Sequence, residues 1–175
     1  LRSGKVLRIK HGVDPTTPDL LLGSDVLYRK LRQFQDLGHK VVFLIGDFTG
    51  RFGDPTDKAG SARPMRQKEE FEKIAKNYIN QAGKILDIKK LEIRHNGEWY
   101  DKMNADSLLK LMSKFTTAQM MQRDMFQERI KKGLDIGLHE PVYPILQGYD
   151  SVMLKSDITV IGNDQEFNEL QGRRA

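Results

Sequence analysis

Apolar residues in the first 45 positions follow two different spacings. Branched residues crowd into 6–11 and 40–45, whereas between 22 and 37 apolar residues recur every three or four positions. The first spacing is typical of a buried strand, and the second of a helix with one buried face. Gly12 and Gly38 are predicted to end the first strand and the helix. Strand, helix and strand within about 40 residues predict a right-handed βαβ unit with parallel strands.

The same alternation predicts the rest of the fold. Helical spacing or branched runs indicate helices over 68–86, 106–132 and 141–155, strands over 91–95 and 158–161, and a short helix from Asp164. Residues 46–64 have no apolar period and many glycines, which is typical of a long functional loop. Asn96-Gly97 is predicted to turn the chain. Strands that alternate with helices predict one α/β domain with a doubly wound parallel sheet.

Composition narrows the class of protein. The 175 residues include 29 Lys and Arg against 24 Asp and Glu, and the net charge of +5 favours anionic partners without indicating nucleic acid. The absence of cysteine excludes disulfides and thiolate zinc sites, and the four histidines lack metal-ligand spacing, so we expect no protein metal site. The densest apolar run, Val41–Ile45, is too short for a bilayer, and we expect a cytoplasmic protein without membrane contact. Leu1 in place of a start methionine suggests a fragment.

Polar residues gather where the strands of such a sheet end. Tyr143, Gln147 and Asp150 are spaced by four and three positions, so a phenol, a carboxamide and a carboxylate share one helix face. Asp14-Pro15, Gly53-Asp54-Pro55 and Gly162–Gln165 also fall on the crevice side, where a zwitterionic ligand with an amine and a hydroxyl would fit. The alternatives are a polar stripe on an exposed helix, ordinary turns, and an N-cap at Asp164.

Nucleotide-binding signatures of the common kinds are missing. No G-x-G-x-x-G follows a strand and no P-loop is present, which disfavours a Rossmann dehydrogenase and a P-loop kinase. The helix that begins near Gly23 offers free N–H groups for a phosphate or a carboxylate, the alternative being a plain turn into a helix. Met and Phe crowd into residues 112–126, which indicates a core or a subunit interface, and we expect a homodimer through this region.

Five segments together resemble the catalytic domain of the tyrosyl-tRNA synthetases, which are class I aminoacyl-tRNA synthetases, and most closely their bacterial form. These segments are 10–16, 46–55, 96–99, the set Tyr143, Gln147 and Asp150, and 162–165. The resemblance implies a Rossmann-like catalytic domain over residues 1–175 that stops before the mobile Lys-Met-Ser-Lys-Ser loop and the anticodon-binding domain. It also implies synthesis of tyrosyl adenylate from tyrosine and ATP, with Mg²⁺ accompanying ATP, and transfer to tRNA(Tyr) by the full-length protein.

The resemblance assigns roles to individual residues. For tyrosine, it implies that Tyr143, Gln147 and Asp54 surround the ammonium with Gln165 nearby, that Asp150 accepts a hydrogen bond from the phenol, and that Asn96 belongs to the pocket. For ATP, it implies contacts from Gly12, Asp14, Thr16, Gly23, Gly162 and Asp164, with the two glycines 12 and 162 beside adenosine and Asp164 on the ribose.

One signature of the family is altered. The His-x-Gly-His segment, whose imidazoles would donate to the phosphates, reads Leu21-Leu22-Gly23-Ser24, which leaves Gly23 and Ser24 as the catalytic candidates. Loss of one such donor typically costs about 10²–10³ in rate. Ile161 also stands beside Gly162 where the family usually has a second glycine. Two hypotheses therefore remain: a synthetase catalytic domain, or a non-catalytic binding module that kept the fold.

Overall fold

The computed structural model describes residues 4–53 and 68–175. The strands are β1 (Arg8–Val13), β2 (Lys40–Ile45), β3 (Glu92–His95) and β4 (Ile158–Thr159). The helices are α1 (Leu22–Asp36), α2 (Lys68–Ala82), α3 (Gly97–Tyr100), α4 (Ala105–Met112), α5 (Thr117–Met120), α6 (Asp124–Lys131), α7 (Tyr143–Leu154) and α8 (Glu166–Leu170).

The strands of the described residues form one parallel sheet in the order β3-β2-β1-β4. Arg8 pairs with Lys40 at the start of β1, and Ile9 pairs with Ile158 on its other edge. The chain thus builds β2 and β3 on one side of β1 and then returns to the opposite side for β4. Ligands of such sheets bind at the carboxyl ends of the strands where the order reverses, which here lies between β1 and β4.

Strand β2 separates two hydrophobic cores because its side chains alternate between the faces of the sheet. Val41 and Phe43 pack with Tyr28 and Leu31 of α1 on one face. Val42 and Leu44 face the other way, toward residues of α3 and α7, which are Trp99, Tyr100, Leu146 and Leu154. Helices therefore cover both faces, which confirms the doubly wound α/β fold.

Several predicted boundaries were wrong, for identifiable reasons. Gly12 does not end β1, because it pairs with Leu44 inside the sheet, and β1 runs two residues later than predicted. The helix predicted over 106–132 is divided into α4, α5 and α6. Thr116 and Gln119 form a reciprocal capping box that starts α5, and such a box fixes a new helix N-terminus. The turn predicted at Asn96-Gly97 leads directly into α3.

The apolar residues between 112 and 126 lie largely inside this chain. Phe115, Met120 and Phe126 are buried, the first two in a cluster with Leu111 and Ile145. For these three side chains the core interpretation holds, while dimerisation through this region stays a prediction. Within residues 4–53 and 68–175, no helix is long and apolar enough to cross a bilayer.

Candidate active site

A cavity of about 530 Å³ lies at the carboxyl ends of β1 and β4. Its walls come from the loop after β1, the first turn of α1, one face of α7 and the segment between β4 and α8. The predicted site residues that line it are Gly12, Asp14, Thr16, Gly23, Ser24, Tyr143, Gln147, Asp150, Gly162, Asp164 and Gln165. Segments distant in sequence thus meet at the point where the strand order reverses.

Asp150 forms a buried acid at one end of this cavity, with 3% of its surface exposed. Its Oδ1 accepts a hydrogen bond from Trp99 Nε1 at 3.0 Å, and its Oδ2 accepts one from Asn96 Nδ2 at 3.3 Å. Burial raises the pKa of Asp150 to about 6, while the charge of Lys10 and these hydrogen bonds act in the opposite direction. The site therefore holds a carboxylate that is ionised at neutral pH and protonates in mild acid.

Asn96 donates a hydrogen bond to Asp150 but does not itself line the cavity. Its side chain is fully buried, and its Nδ2 also donates to Thr49 Oγ1 at 2.9 Å. Its Oδ1 accepts the backbone N–H of Phe48 at 2.9 Å, which ties the loop after β2 to α3. In this geometry Asn96 acts on a bound ligand through Asp150 and Thr49, which both line the cavity.

Asp14 sits at the centre of the cavity wall, between the ends of β1 and β2. Its Oδ2 accepts a hydrogen bond from Tyr143 Oη at 2.7 Å, and its Oδ1 accepts one from Thr49 Oγ1 at 2.8 Å. Gly46 leaves room for this carboxylate, because a Cβ at position 46 would collide with Asp14 Oδ1 and lie 2.5 Å from Thr49 Oγ1. The glycine after β2 is thus required by the site itself.

The other end of the cavity is formed by the start of α1. Leu21 occupies the N-cap position and makes no side-chain cap hydrogen bond, while Gly23 and Ser24 follow in the first turn. The N–H of Ser24 donates to the carbonyl of Leu21 at 2.9 Å. Because a helix N-terminus carries partial positive charge and free N–H groups, this end suits an anion. Leu21, which is 75% exposed, adds no hydrogen-bond donor there.

The segment after β4 contributes a further part of the cavity wall. Gly162 occupies the N-cap position of a short 3-10 turn that makes no side-chain cap hydrogen bond, so the N-cap role considered for Asp164 is not observed. The carboxylate of Asp164 instead accepts Gln165 Nε2 at 2.8 Å. A Cβ at position 162 would lie 2.5 Å from Asp164 Oδ1, so glycine permits this arrangement.

Comparison with known proteins assigns the family. The sequence profile described as tRNA synthetases class I (W and Y) matches residues 2–175. The chain belongs to this synthetase family. It is 53% identical over 173 residues to the tyrosine–tRNA ligase of Thermotoga maritima, covering 99% of this chain and 43% of that protein. It is 51% identical over 173 residues to the tyrosine–tRNA ligase of Xylella fastidiosa, covering 99% and 41%.

A solved structure agrees with this assignment. The C-terminally truncated mitochondrial tyrosyl-tRNA synthetase of Aspergillus nidulans superposes with a TM-score of 0.82 at 26% identity, covering 96% of this chain and 52% of that one. The chain spans about two fifths of the length of the curated relatives named above. The family and the Rossmann-like fold expected from the sequence are therefore confirmed.

The structure does not place two predicted site residues of this class I synthetase chain in the cavity wall, for different reasons. Asn96 stands behind Asp150, as described above, and Asp54 lies outside the described residues. Part of the predicted tyrosine site therefore stays a prediction.

Sequence reasoning missed two buried basic residues of β1 that line the cavity. Lys10 is 1% exposed, and its ammonium forms an ion pair with Glu169 Oε1 at 2.8 Å. His11 is also buried, with its Nδ1 at 2.8 Å from the carbonyl of Val160, and burial lowers its pKa. A carbonyl only accepts, so Nδ1 carries the proton and the ring is neutral at pH 7. The signal available in the sequence was two consecutive basic residues in the interior of a strand whose spacing predicts burial.

Proposed function

We propose that this chain binds tyrosine and ATP and joins them as tyrosyl adenylate, as the catalytic part of a tyrosine–tRNA ligase. The cavity carries this proposal, because it combines a buried acid at one end with a helix N-terminus at the other. Two of its relatives that are more than half identical to it are named tyrosine–tRNA ligases, which supports the same reaction here.

The amino acid fits the end of the cavity formed by α7. Asp150 is placed to accept a hydrogen bond from the phenol of tyrosine, since its two oxygens are held by Trp99 and Asn96 and each keeps a further lone pair. Phenylalanine lacks the hydroxyl and would leave this buried acceptor without a donor. Tyrosine-activating enzymes are the known example of such a site, and they prefer tyrosine to phenylalanine by up to about 10⁵. Tyr143 and Gln147 lie on the same face of α7 and are proposed to contact the ammonium, together with Gln165.

ATP fits the opposite end, between α1 and the segment after β4. Gly12 and Gly162 would let the backbone approach adenosine, Asp164 would bind a ribose hydroxyl, and Asp14 and Thr16 would flank the phosphates. The N–H groups at the start of α1, including that of Gly23, and the hydroxyl of Ser24 are the donors available to the phosphates. Within the described residues, no cluster of three or more His, Asp or Glu could hold a metal ion, so Mg²⁺ would enter bound to ATP.

The proposed reaction needs positioning more than chemical participation by side chains. An oxygen of the tyrosine carboxylate attacks the α-phosphorus of ATP, and pyrophosphate leaves. Holding the two reactants in line in one cavity replaces a bimolecular encounter, and donors at α1 stabilise charge on the phosphates. Transfer of tyrosine to tRNA(Tyr) is proposed for the complete protein.

The deciding experiment is tyrosine-dependent exchange of pyrophosphate into ATP, combined with calorimetric titration of tyrosine and phenylalanine. We expect exchange, and tyrosine binding that is stronger than phenylalanine binding by a factor of at least about 10². Equal binding of the two amino acids would refute the tyrosine site.

A second candidate is a binding module without catalysis. It is favoured by the two positions where the family's imidazoles would stand, which here hold Leu21, whose side chain has no hydrogen-bond donor, and Ser24, which has a single hydroxyl. This candidate predicts binding of tyrosine without any exchange above background.

We also propose that the protein acts in the cytoplasm, where its tRNA substrate is, and as a homodimer. The apolar side chains exposed on this part of the chain flank residues 112–126, and they are Leu109, Ile130, Leu134 and Leu138. Their exposure supports a self-association surface at the margins of the predicted region. Sedimentation equilibrium tests it, and a monomer at about 100 μM would contradict it.

A further inference from the structure

Lys10 is a buried cation at the base of the amino-acid end of the cavity. Its Nζ donates three hydrogen bonds: to Glu169 Oε1 at 2.8 Å, to Ser151 Oγ at 2.9 Å and to the carbonyl of Gln147 at 3.1 Å. All three donors of the ammonium are therefore used. A buried ion pair is a poor source of stability compared with apolar packing, so its presence calls for another reason.

Glu169 connects Lys10 to the side chain of Gln147. Its Oε1 accepts Gln147 Nε2 at 3.2 Å, and its Oε2 accepts Ser151 Oγ at 2.8 Å. An ionised carboxylate only accepts hydrogen bonds, so Gln147 must turn its NH₂ group toward Glu169. The oxygen of Gln147 then points to Asn168, whose Nδ2 donates to it at 2.8 Å.

The network continues from Asn168 to the second carboxamide of the cavity. Asn168 Nδ2 also donates to Gln165 Oε1 at 2.9 Å, and Asn168 itself is completely buried. One ion pair thus fixes which end of both carboxamides is an acceptor and which is a donor. These contacts join Lys10 of β1 to α7, α8 and the segment before α8.

We propose that Lys10 is a positioning residue for amino-acid recognition, which holds the Glu169 side chain in place and thereby fixes the orientation of the Gln147 and Gln165 carboxamides. The proposal rests on the proposed function, since it concerns the site for tyrosine. Without Lys10, Glu169 loses the ammonium that holds its Oε1, and its carboxylate can turn away from Gln147 Nε2. Gln147 can then turn over, which exchanges an acceptor for a donor beside the tyrosine ammonium.

The charge of Lys10 acts on Asp150 as well. It lowers the pKa of Asp150 against the larger effect of burial. Removal of this charge should therefore shift the pH below which tyrosine binding weakens to a higher value. A defect in packing alone would not produce such a shift.

Two variants test the proposal by calorimetry with tyrosine and, separately, with ATP. Lys10→Met leaves Glu169 without its cation, while the double variant Lys10→Met/Glu169→Gln also removes the buried negative charge and so restores folding if the single variant fails to fold. We expect the Kd for tyrosine to rise at least about tenfold in both, with less than about twofold change for ATP. Lys110→Met is the matched control, because Lys110 forms only an exposed ion pair with Asp106, and it should behave as the unchanged protein.

The outcomes distinguish failure of the positioning role of Lys10 from failure of the proposed function. If the double variant binds tyrosine as tightly as the unchanged protein, or if the affinities for tyrosine and ATP fall equally, Lys10 has no positioning role. If the unchanged protein does not bind tyrosine at all, the proposed function fails instead. An upward shift of the pH midpoint for tyrosine binding in Lys10→Met, absent in Lys110→Met, supports positioning.

Discussion

Tyr143 donates its phenol hydroxyl to Asp14 Oδ2 at 2.7 Å. This hydrogen bond joins the first residue of α7 to the loop after β1, and therefore joins the amino-acid end of the cavity to the nucleotide end. Asp14 is held on its other oxygen by Thr49. A ligand ammonium only donates, so it would bond to a lone pair of the Tyr143 oxygen while the hydroxyl goes on donating to Asp14. Because donors and acceptors in such a chain polarise one another, binding at the two ends should be coupled.

Tyr143→Phe tests this coupling. Loss of the hydroxyl should lower the free energy of unfolding by about 1 kcal/mol and weaken tyrosine binding, because one hydrogen-bonding group of the proposed ammonium site disappears. It should also reduce the effect of tyrosine on ATP affinity, since linkage between the two sites runs through this bond. Urea unfolding and calorimetry with and without the second ligand measure these changes.

The control for this prediction is Tyr149→Phe on the same helix. Tyr149 packs against Tyr100 with ring centroids 6.3 Å apart and does not line the cavity. We expect ligand affinities close to those of the unchanged protein. If Tyr143→Phe leaves both the tyrosine affinity and the coupling unaltered, the hydrogen bond is only structural.

Asp150 should make amino-acid selectivity depend on pH. Its pKa is raised to about 6, chiefly by burial, so the carboxylate that accepts the phenol is present above pH 6 and is lost as the pH falls below it. The preference for tyrosine over phenylalanine should therefore decline between about pH 7 and pH 5. Calorimetry with both amino acids over this range measures it.

Two variants sharpen the pH prediction. Asp150→Asn should remove most of the pH dependence, because no group titrates at the phenol. Trp99→Phe should move the midpoint upward, since the indole N–H helps to keep the carboxylate ionised. A midpoint that stays in place in both variants would mean that another group controls binding.

The same shift has a consequence for the stability of the ligand-free protein. Because the pKa of Asp150 is higher in the folded state than the ordinary value of 3.8, its contribution to stability is present below about pH 4 and is lost as the pH rises through about 6. Asp150→Asn should remove this loss of stability. Urea unfolding gives the free energy of unfolding at pH 4 and at pH 7. The difference between these two values should be smaller in the variant.

Gly46 provides a prediction about packing. In Gly46→Ala the new methyl group would meet the side chains of Asp14 and Thr49, so the hydrogen bond between them must break or the loop must move. We expect a destabilisation of about 1–3 kcal/mol. Gly23→Ala is the comparison for stability, because nothing lies within 4 Å of a Cβ at position 23, and alanine favours a helix. Equal thermal unfolding temperatures for the two variants would contradict the prediction.

The parts of the fold that could be predicted were those with an unbroken local signal. The bounds of β2 were predicted correctly because five of its six residues are apolar and buried. β1 was displaced because Gly12 can pair in a sheet as well as end a strand, and only the register with Leu44 decides between these. The division of the helix predicted over 106–132 depends on capping by Thr116 and Gln119, a pair three residues apart that the sequence shows but that the apolar spacing around it obscured.

In the candidate site too, only the features with a local sequence signal could be predicted. The face shared by Tyr143, Gln147 and Asp150 follows from helical spacing, and all three line the cavity. The roles of Lys10 and Glu169 do not follow from spacing, because these residues are 159 positions apart and a lysine in a strand is ordinarily expected at the surface. Long-range ion pairs need the topology, which here places β1 beside α7 and α8.

The altered segment at the start of α1 gives the prediction that separates catalysis from binding alone. Leu21 and Ser24 line the cavity at the phosphate end, and Leu21 is exposed, so Leu21→His/Ser24→His should cost little stability. If missing donors limit the reaction, each restored imidazole should raise the rate of tyrosine-dependent exchange by up to about 10²–10³.

Leu22→His is the matched control for this experiment, because Leu22 is 88% exposed beside the same segment but does not line the cavity. It should leave the exchange rate unchanged, which separates an imidazole aimed at the phosphates from added positive charge nearby. If the double variant binds tyrosine but exchanges no faster than the unchanged protein, the lost donors are not what limits adenylate formation. If both proteins bind tyrosine and neither exchanges pyrophosphate above background, the binding module is the better description, because restored donors at α1 then do not suffice for adenylate formation.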